Sequence, residues 1–277
     1  MQPSCLPSRH RSAGTDRLTR GAQFSARPRL PSQPVASLDH VDALRRDGER
    51  IAAAAAGHLD RLVPSCPGWN LAELVWHVGN VHTFWRLVAG GSVSGPDSYR
   101  EPVRPHDPAL VDWFRVGLAE TVAVLTCTDP ATPAWTWGRR KDVGFIRRRL
   151  AQETAVHCWD AVTAAGSEEP VEAALAADGV DEFVGDVLPA MSPDLTGPAQ
   201  TIGLSARDTG AHWLIRAGDG GCRVARAGSG ADTGADAKVT ATASDLLLLL
   251  WGRRGTDAVA VDGDAAALAR FLARARF

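Results

Sequence analysis

An N-terminal up-down helical bundle followed by a small α+β domain is the architecture this sequence predicts, on three observations. Residues 38–191 carry apolar side chains at the helical period, with breakers and caps between the periodic runs. After Pro198 the texture changes to short apolar stretches at strand spacing, separated by Gly-rich turns. The chain has 277 residues and is 45% hydrophobic, which exceeds the usual span of one domain and is enough to build real cores. The expected domains are therefore 38–191, a metal-binding bundle, and 198–277, the smaller α+β unit.

The elements follow in order. Residues 1–37 hold six arginines, five prolines, many serines and one acidic residue, a composition that predicts a disordered tail. Neither a signal peptide nor an amphipathic presequence fits it, because a continuous apolar run is missing and Pro28, Pro31 and Pro34 interrupt any helix. Helix one is predicted over Leu38 to Leu62, closing at Pro64. The breaker-rich turn Val63 to Trp69 follows, with Asn70 placed to cap a second helix that runs to about Ala89. Pro108 opens a third helix to about Leu125, a fourth spans Val143 to Ala165 before Gly166, and another runs from about Val171 to Leu188. Four or five such helices make a bundle. Strands are predicted at His212 to Arg216, Cys222 to Ala225, Val239 to Ala243 and Val259 to Val261. Ser244 is read as the cap of a helix over Asp245 to Trp251, and Ala265 to Arg276 as the last helix.

Charge and cysteine usage remove several function classes. A formal charge of −2 and a pI near 6.4 offer no general attraction to nucleic acid or anionic membranes. The formal +5 of the tail leaves −7 on the rest of the chain, so the folded part is mildly acidic. The five cysteines are scattered and never form a C-x-x-C pair, which opposes a disulfide framework or a thiolate zinc site and fits a reducing cytoplasm. The longest apolar run, Leu246 to Trp251, is far too short for a membrane span. A soluble monomer or weak homodimer with small-molecule partners is expected.

The chemistry lies on helices two and four. Ile146, Leu150, Glu153 and His157 recur at intervals of four, three and four, and so share one stripe of the fourth helix. Leu74, His77, Val81, Trp85 and Val88 do the same on the second. Burying an unpaired carboxylate or imidazole costs several kcal/mol, so three such groups on inward faces need a shared partner. A divalent cation is one. Glu153 and His157 are one turn apart, with Cβ atoms about 5–6 Å from each other, and His77 supplies a third donor from another helix. Two imidazoles and a carboxylate leave an open fourth position, as in catalytic zinc sites. His82 is a poorer ligand, because five residues turn it about 140° away from His77. His58, His106 and His212 fall near loops or in the other domain.

Three segments together resemble a known family. Val63-Pro64-Ser65-Cys66-Pro67-Gly68-Trp69-Asn70-Leu71, followed by Leu74-Val75-Trp76-His77-Val78-Gly79, is similar to the opening signature of the mycothiol-dependent maleylpyruvate isomerases. Glu153-Thr154-Ala155-Val156-His157-Cys158-Trp159-Asp160 resembles that family's E-T-x-x-H-x-W-D segment, and Ser244 to Arg253 its C-terminal helix. The resemblance covers nearly everything from residue 38 onward.

It implies a DinB-like bundle that binds zinc, or another divalent metal, through His77, Glu153 and His157, with a sterol-carrier-like domain after it. It also implies mycothiol, a low-molecular-weight thiol of actinobacteria, as cofactor or cosubstrate, and cis-trans isomerisation or thiol transfer by a metal-activated thiolate. Arg253 matches the family's functional arginine and is the candidate catalytic residue for a small anionic or electrophilic substrate; the adjacent Arg254 is a candidate for cofactor binding. Basic residues at a helix C-terminus are also favoured without any ligand. Pro67-Gly68-Trp69 is read as a structural turn and Cys66 as buried rather than nucleophilic. Two other classes stay open on the same residues, a zinc hydrolase using metal-bound water and a non-catalytic metal- and ligand-binding module.

Overall fold

The computed structural model describes residues 38–191, 198–218, 221–226 and 234–275. The expectation of a disordered tail over 1–37 lies outside the described residues. Leu38 to Phe277 make up one compact unit, in which a helical part precedes a mixed five-stranded sheet. No helix among the described residues is long and apolar enough to cross a membrane.

Four helices build the bundle: α1 (His40–Ala55), α2 (Leu71–Ala89), α3 (Asp107–Cys127) and α4 (Val143–Ala164). Here α1 packs against α4 and α3, while α2 packs against α3 and α4. Leu44, Ile51, Leu74, Phe114, Leu118, Ile146 and Leu150 are all buried in the core between them. Helix one ends at Ala55, seven residues short of the predicted Leu62. Gly57 takes a left-handed conformation (φ 75°) after the last turn. The chain then turns back, Leu62 pairs with Asn70 in an isolated bridge, and the Leu62 side chain stays 74% exposed. Apolar spacing continued past the point where the backbone had left the helix.

Asn70 does cap α2. Its side chain accepts from Ala72 N and Glu73 N, and the Glu73 carboxylate accepts from Asn70 N, which completes a capping box. On α4, Asp142 accepts from Phe145 N. These two caps fix the phase of the helices that carry the predicted ligands.

The fifth predicted helix begins at Ala173, where the Glu172 side chain caps α5 (Ala173–Glu182). A π-helical turn, Phe183–Val187, carries the chain into α6 (Leu188–Met191). α5 packs on α7 (Ala243–Leu250) of the C-terminal part. The sheet order is β3-β2-β1-β4-β5, from β1 (Gln200–Ala206), β2 (His212–Gly218), β3 (Gly221–Arg226), β4 (Ala237–Ala241) and β5 (Ala260–Gly263). β1 runs parallel to β4 and the other pairs are antiparallel. The middle strand, β1, is absent from the prediction, because Gly203 and Ser205 dilute its β-branched content. α8 (Ala265–Arg274) packs on β1 and β4.

The cap of α7 is Thr242, whose hydroxyl accepts from Asp245 N. Ser244 is instead buried in the first turn, where its hydroxyl accepts from Val171 N. One apolar core joins Val156 and Trp159 of α4, α5, α7 and the inner face of the sheet, so the C-terminal part is packed directly onto the helix that carries Glu153 and His157.

Candidate metal centre

The two stripes meet. His77, on α2, and Glu153 and His157, on α4, each offer one donor atom, and these atoms lie within 4.8 Å of one another. Both ring nitrogens face the same carboxylate oxygen. His77 Nε2 is 3.3 Å from Glu153 Oε1, and His157 Nε2 is 3.4 Å from it. The His77 side chain is 37% exposed and that of His157 9%, so the cluster opens toward solvent on the α2 side.

The second ring nitrogen of His157 is held from behind. Its Nδ1 lies 2.9 Å from Asp160 Oδ2, and Asp160 is completely buried. With one ring proton kept at Nδ1, Nε2 is the nitrogen turned toward Glu153, the arrangement in which a carboxylate orients an imidazole that can ligate through Nε2 once that atom is deprotonated. Asp160 also accepts from Ser65 Oγ (2.5 Å), from Cys66 Sγ (3.6 Å) and from Arg253 through Nε (3.3 Å) and Nη2 (3.0 Å). Glu153 is supported in the same way, since Arg149 Nη2 donates to its Oε2 at 2.9 Å.

These contacts set the proton affinities of the metal-free cluster. Burial alone would depress His157, but the Asp160 and Glu153 carboxylates outweigh it and bring it up to about 9. Burial opposes ionisation of Asp160, yet His157 and Arg253 hold it down to about 2. Glu153 lies well below the ordinary carboxylate range despite burial, through His157, His77 and Arg149. Burial pushes the Cys66 thiol up to about 11, with Asp160 adding to the effect. His82, fully buried, is held down to about 3 by burial, and its Nε2 pairs with Thr154 Oγ1 at 2.8 Å. It stands apart from the cluster, as its angular position on α2 predicts.

Three contributions were not visible in the residue pattern. Trp69, read from sequence as a turn residue, lies against both imidazoles, with ring centroids 5.0 Å from His77 and 6.4 Å from His157. Asp160 is quoted in the family motif without a role, and here it joins His157 to Arg253. Arg149 and its partner Glu182 give no sequence signal beyond helical spacing, because the pair forms between separate helices. Arg253 reaches the cluster through Asp160, and Nη1 donates to the Trp251 carbonyl. Arg254 is not brought into the cluster: its guanidinium pairs with Asp245 and Glu168 and lies over the Trp159 ring. Arg253, Trp251, Trp159, Thr163 and Ser65 line a cleft of about 600 Å³ beside Asp160.

The sequence model of the mycothiol maleylpyruvate isomerase N-terminal domain matches residues 40–162, and that of the family's C-terminal domain matches residues 174–270. The chain belongs to the mycothiol maleylpyruvate isomerase family. The family is one of enzymes, and its domain boundary falls just before α5, in keeping with the packing of α5 on α7. Among curated proteins none matches the chain. Of the solved structures, a crystal structure of the mycothiol-dependent maleylpyruvate isomerase is similar with a TM-score of 0.54 at 13% identity, over 82% of this chain and 93% of that one. A histidine-to-alanine mutant of that enzyme gives a TM-score of 0.58 at 12% identity with the same coverage. At such identity the likeness is one of fold.

Proposed function

We propose that this member of the family is a divalent-metal enzyme that uses a low-molecular-weight thiol, with zinc held by His77, Glu153 and His157 and mycothiol as the thiol. The observation that carries the reading is the convergence of two imidazole nitrogens and one carboxylate oxygen from two helices, with His157 already oriented by Asp160. This donor set suits zinc, and three protein ligands leave room for an exogenous one. A divalent ion held there supplies Lewis acidity that favours the thiolate over the thiol of a bound cosubstrate at neutral pH.

The chain's own residues divide the remaining work. Asp160 keeps the proton at His157 Nδ1, and Arg149 occupies the Glu153 oxygen that faces away from the imidazoles. Trp69 lies against the two rings and gives the cluster one apolar wall. Arg253, at the border of the cleft, gives it positive character suited to a small anionic or electrophilic substrate. Cys66 is nearby, but burial pushes its thiol up to about 11, so it offers no competing thiolate at neutral pH, in keeping with a thiol that arrives from outside. Isomerisation and thiol transfer both fit this arrangement.

The test is binding by calorimetry. Mycothiol is expected to bind the zinc-loaded protein with proton release and to bind the metal-free protein far more weakly. His77→Ala, Glu153→Ala and His157→Ala should each lower zinc content from about one per chain toward none. Equal mycothiol affinity with and without zinc would remove the thiol reading and favour a hydrolase or a binding module.

A further inference from the structure

We propose that Glu182 is a positioning residue for the metal centre: by holding Arg149, it leaves the Glu153 carboxylate a single oxygen, Oε1, to offer to the ion. The inference rests on the metal reading of His77, Glu153 and His157.

The two oxygens of Glu153 have separate partners. Oε1 faces both imidazoles, whereas Oε2 accepts from Arg149 Nη2 at 2.9 Å. Arg149 sits one turn earlier on α4 with its side chain 5% exposed, and its Nη1 donates to Glu182 Oε2 at 2.6 Å. Its guanidinium carbon also lies 5.5 Å from the centre of the Trp251 ring. To chelate with both oxygens, Glu153 would have to turn Oε2 away from the geometry of its charge-assisted hydrogen bond with a guanidinium whose side chain is only 5% exposed. One-oxygen ligation keeps a coordination position free for an incoming ligand.

A buried arginine so close to a dication is unfavourable by itself. Glu182 supplies the opposing charge. Its burial is not accounted for by its own hydrogen bonding, because Oε1 has no protein partner among the described residues although the side chain is 1% exposed. A salt bridge of that kind adds little stability over an apolar pair of similar volume. What the contact does specify is the direction of the Arg149 fork. Glu182 and Trp251 both belong to the segment matched by the C-terminal domain, as does Arg253, which holds Asp160. Each ligand on α4 is thus braced by a residue of the C-terminal part: Glu153 through Arg149 and Glu182, His157 through Asp160 and Arg253.

The experiment compares the full-length wild type with Glu182→Gln in zinc affinity, by chelator competition, and in the visible spectrum after loading with cobalt(II). Outer-shell partners of a metal site are typically worth about 10–100-fold in affinity. Glu182→Gln should therefore bind zinc at least about tenfold more weakly, and its cobalt bands should lose intensity as Glu153 closes on the ion with both oxygens. An Arg149→Met/Glu182→Leu double variant removes both buried charges together and guards against misfolding of the single one. It should show the same loss of band intensity, because Oε2 is again released. Wild-type zinc affinity and cobalt spectrum in both variants would overturn the proposal, since a merely structural pair leaves both unmoved. A wild type that takes up neither metal would instead overturn the metal reading, and this inference with it.

Discussion

The proton held by His157 gives a quantitative handle on the metal-free cluster. Flanked by Asp160 and Glu153, the imidazole is raised from 6.5 to about 9 in the folded chain. Between those values the folded state keeps a proton that the unfolded state has released, so stability must fall as pH rises. The contribution is complete below 6.5 and is lost as the pH passes through about 9. At about 1.4 kcal/mol per pH unit, it amounts to about 3–4 kcal/mol. Asp160 is displaced the opposite way, down to about 2, by His157 and Arg253 acting together against burial. The two displacements describe one interaction and are not added. Zinc must expel the same proton, so its affinity should rise about tenfold per pH unit over this window, with about one proton released from His157 per ion at neutral pH. Urea unfolding of the chelator-treated protein and buffered zinc titrations across the window measure both trends. His157→Gln should be flat in this part of the unfolding profile. Metal-free stability that holds constant from pH 6.5 to 9, or declines equally in His157→Gln, would refute the assignment of the proton.

Two further outcomes follow from the same contacts. Asp160→Asn leaves a side chain that no longer balances the charges of His157 and Arg253, and should destabilise the fold by about 3–5 kcal/mol, the range for breaking a buried pair, while weakening zinc at least about tenfold; denaturant midpoints and chelator competition check each half. Asn70→Ala removes the acceptor for two backbone amides at the start of α2 and should cost about 1 kcal/mol, with zinc affinity nearly unchanged because His77 is almost two turns further on.

The parts that sequence made legible are those where one helix decides the outcome. Ile146, Leu150, Glu153 and His157 share a stripe whatever surrounds α4, and burying its apolar members carries the polar ones inward. Asn70 and Pro108 mark helix starts by local chemistry alone. Where the outcome depends on another segment, the pattern is silent. Leu62 keeps the apolar spacing of α1 but lies beyond a turn made by Gly57 and by pairing with Asn70. Ser244 has the chemistry of a cap, yet its hydroxyl is taken by Val171, far away in sequence, and Thr242 does the capping. β1 is weak in β-propensity and is a strand because β2 and β4 flank it. Asp160 acquires its place from Ser65 and Arg253, neither of which is near it in the chain.

Arg253 shows how far that dependence reaches into function. As a lone cation beside a cleft it would be ready to clamp a carboxylate with two parallel hydrogen bonds. In the folded protein its Nε and Nη2 both face Asp160 and its Nη1 faces the Trp251 carbonyl, so the two-pronged face is already occupied. An anionic substrate entering the cleft, as proposed, would meet the outer edge of a guanidinium whose charge is largely balanced by Asp160, and Asp160 in turn shares its charge with His157. On the proposed reading the arginine would act on two fronts at once, toward the cleft by residual positive potential and toward His157 by fixing Asp160. Arg253→Lys separates them: a lysine keeps the charge but cannot reproduce the bidentate geometry. If orientation of Asp160 is the larger role, this variant should weaken zinc binding by about as much as Arg253→Ala does. If the cleft-facing charge dominates, lysine should preserve zinc and substrate binding alike.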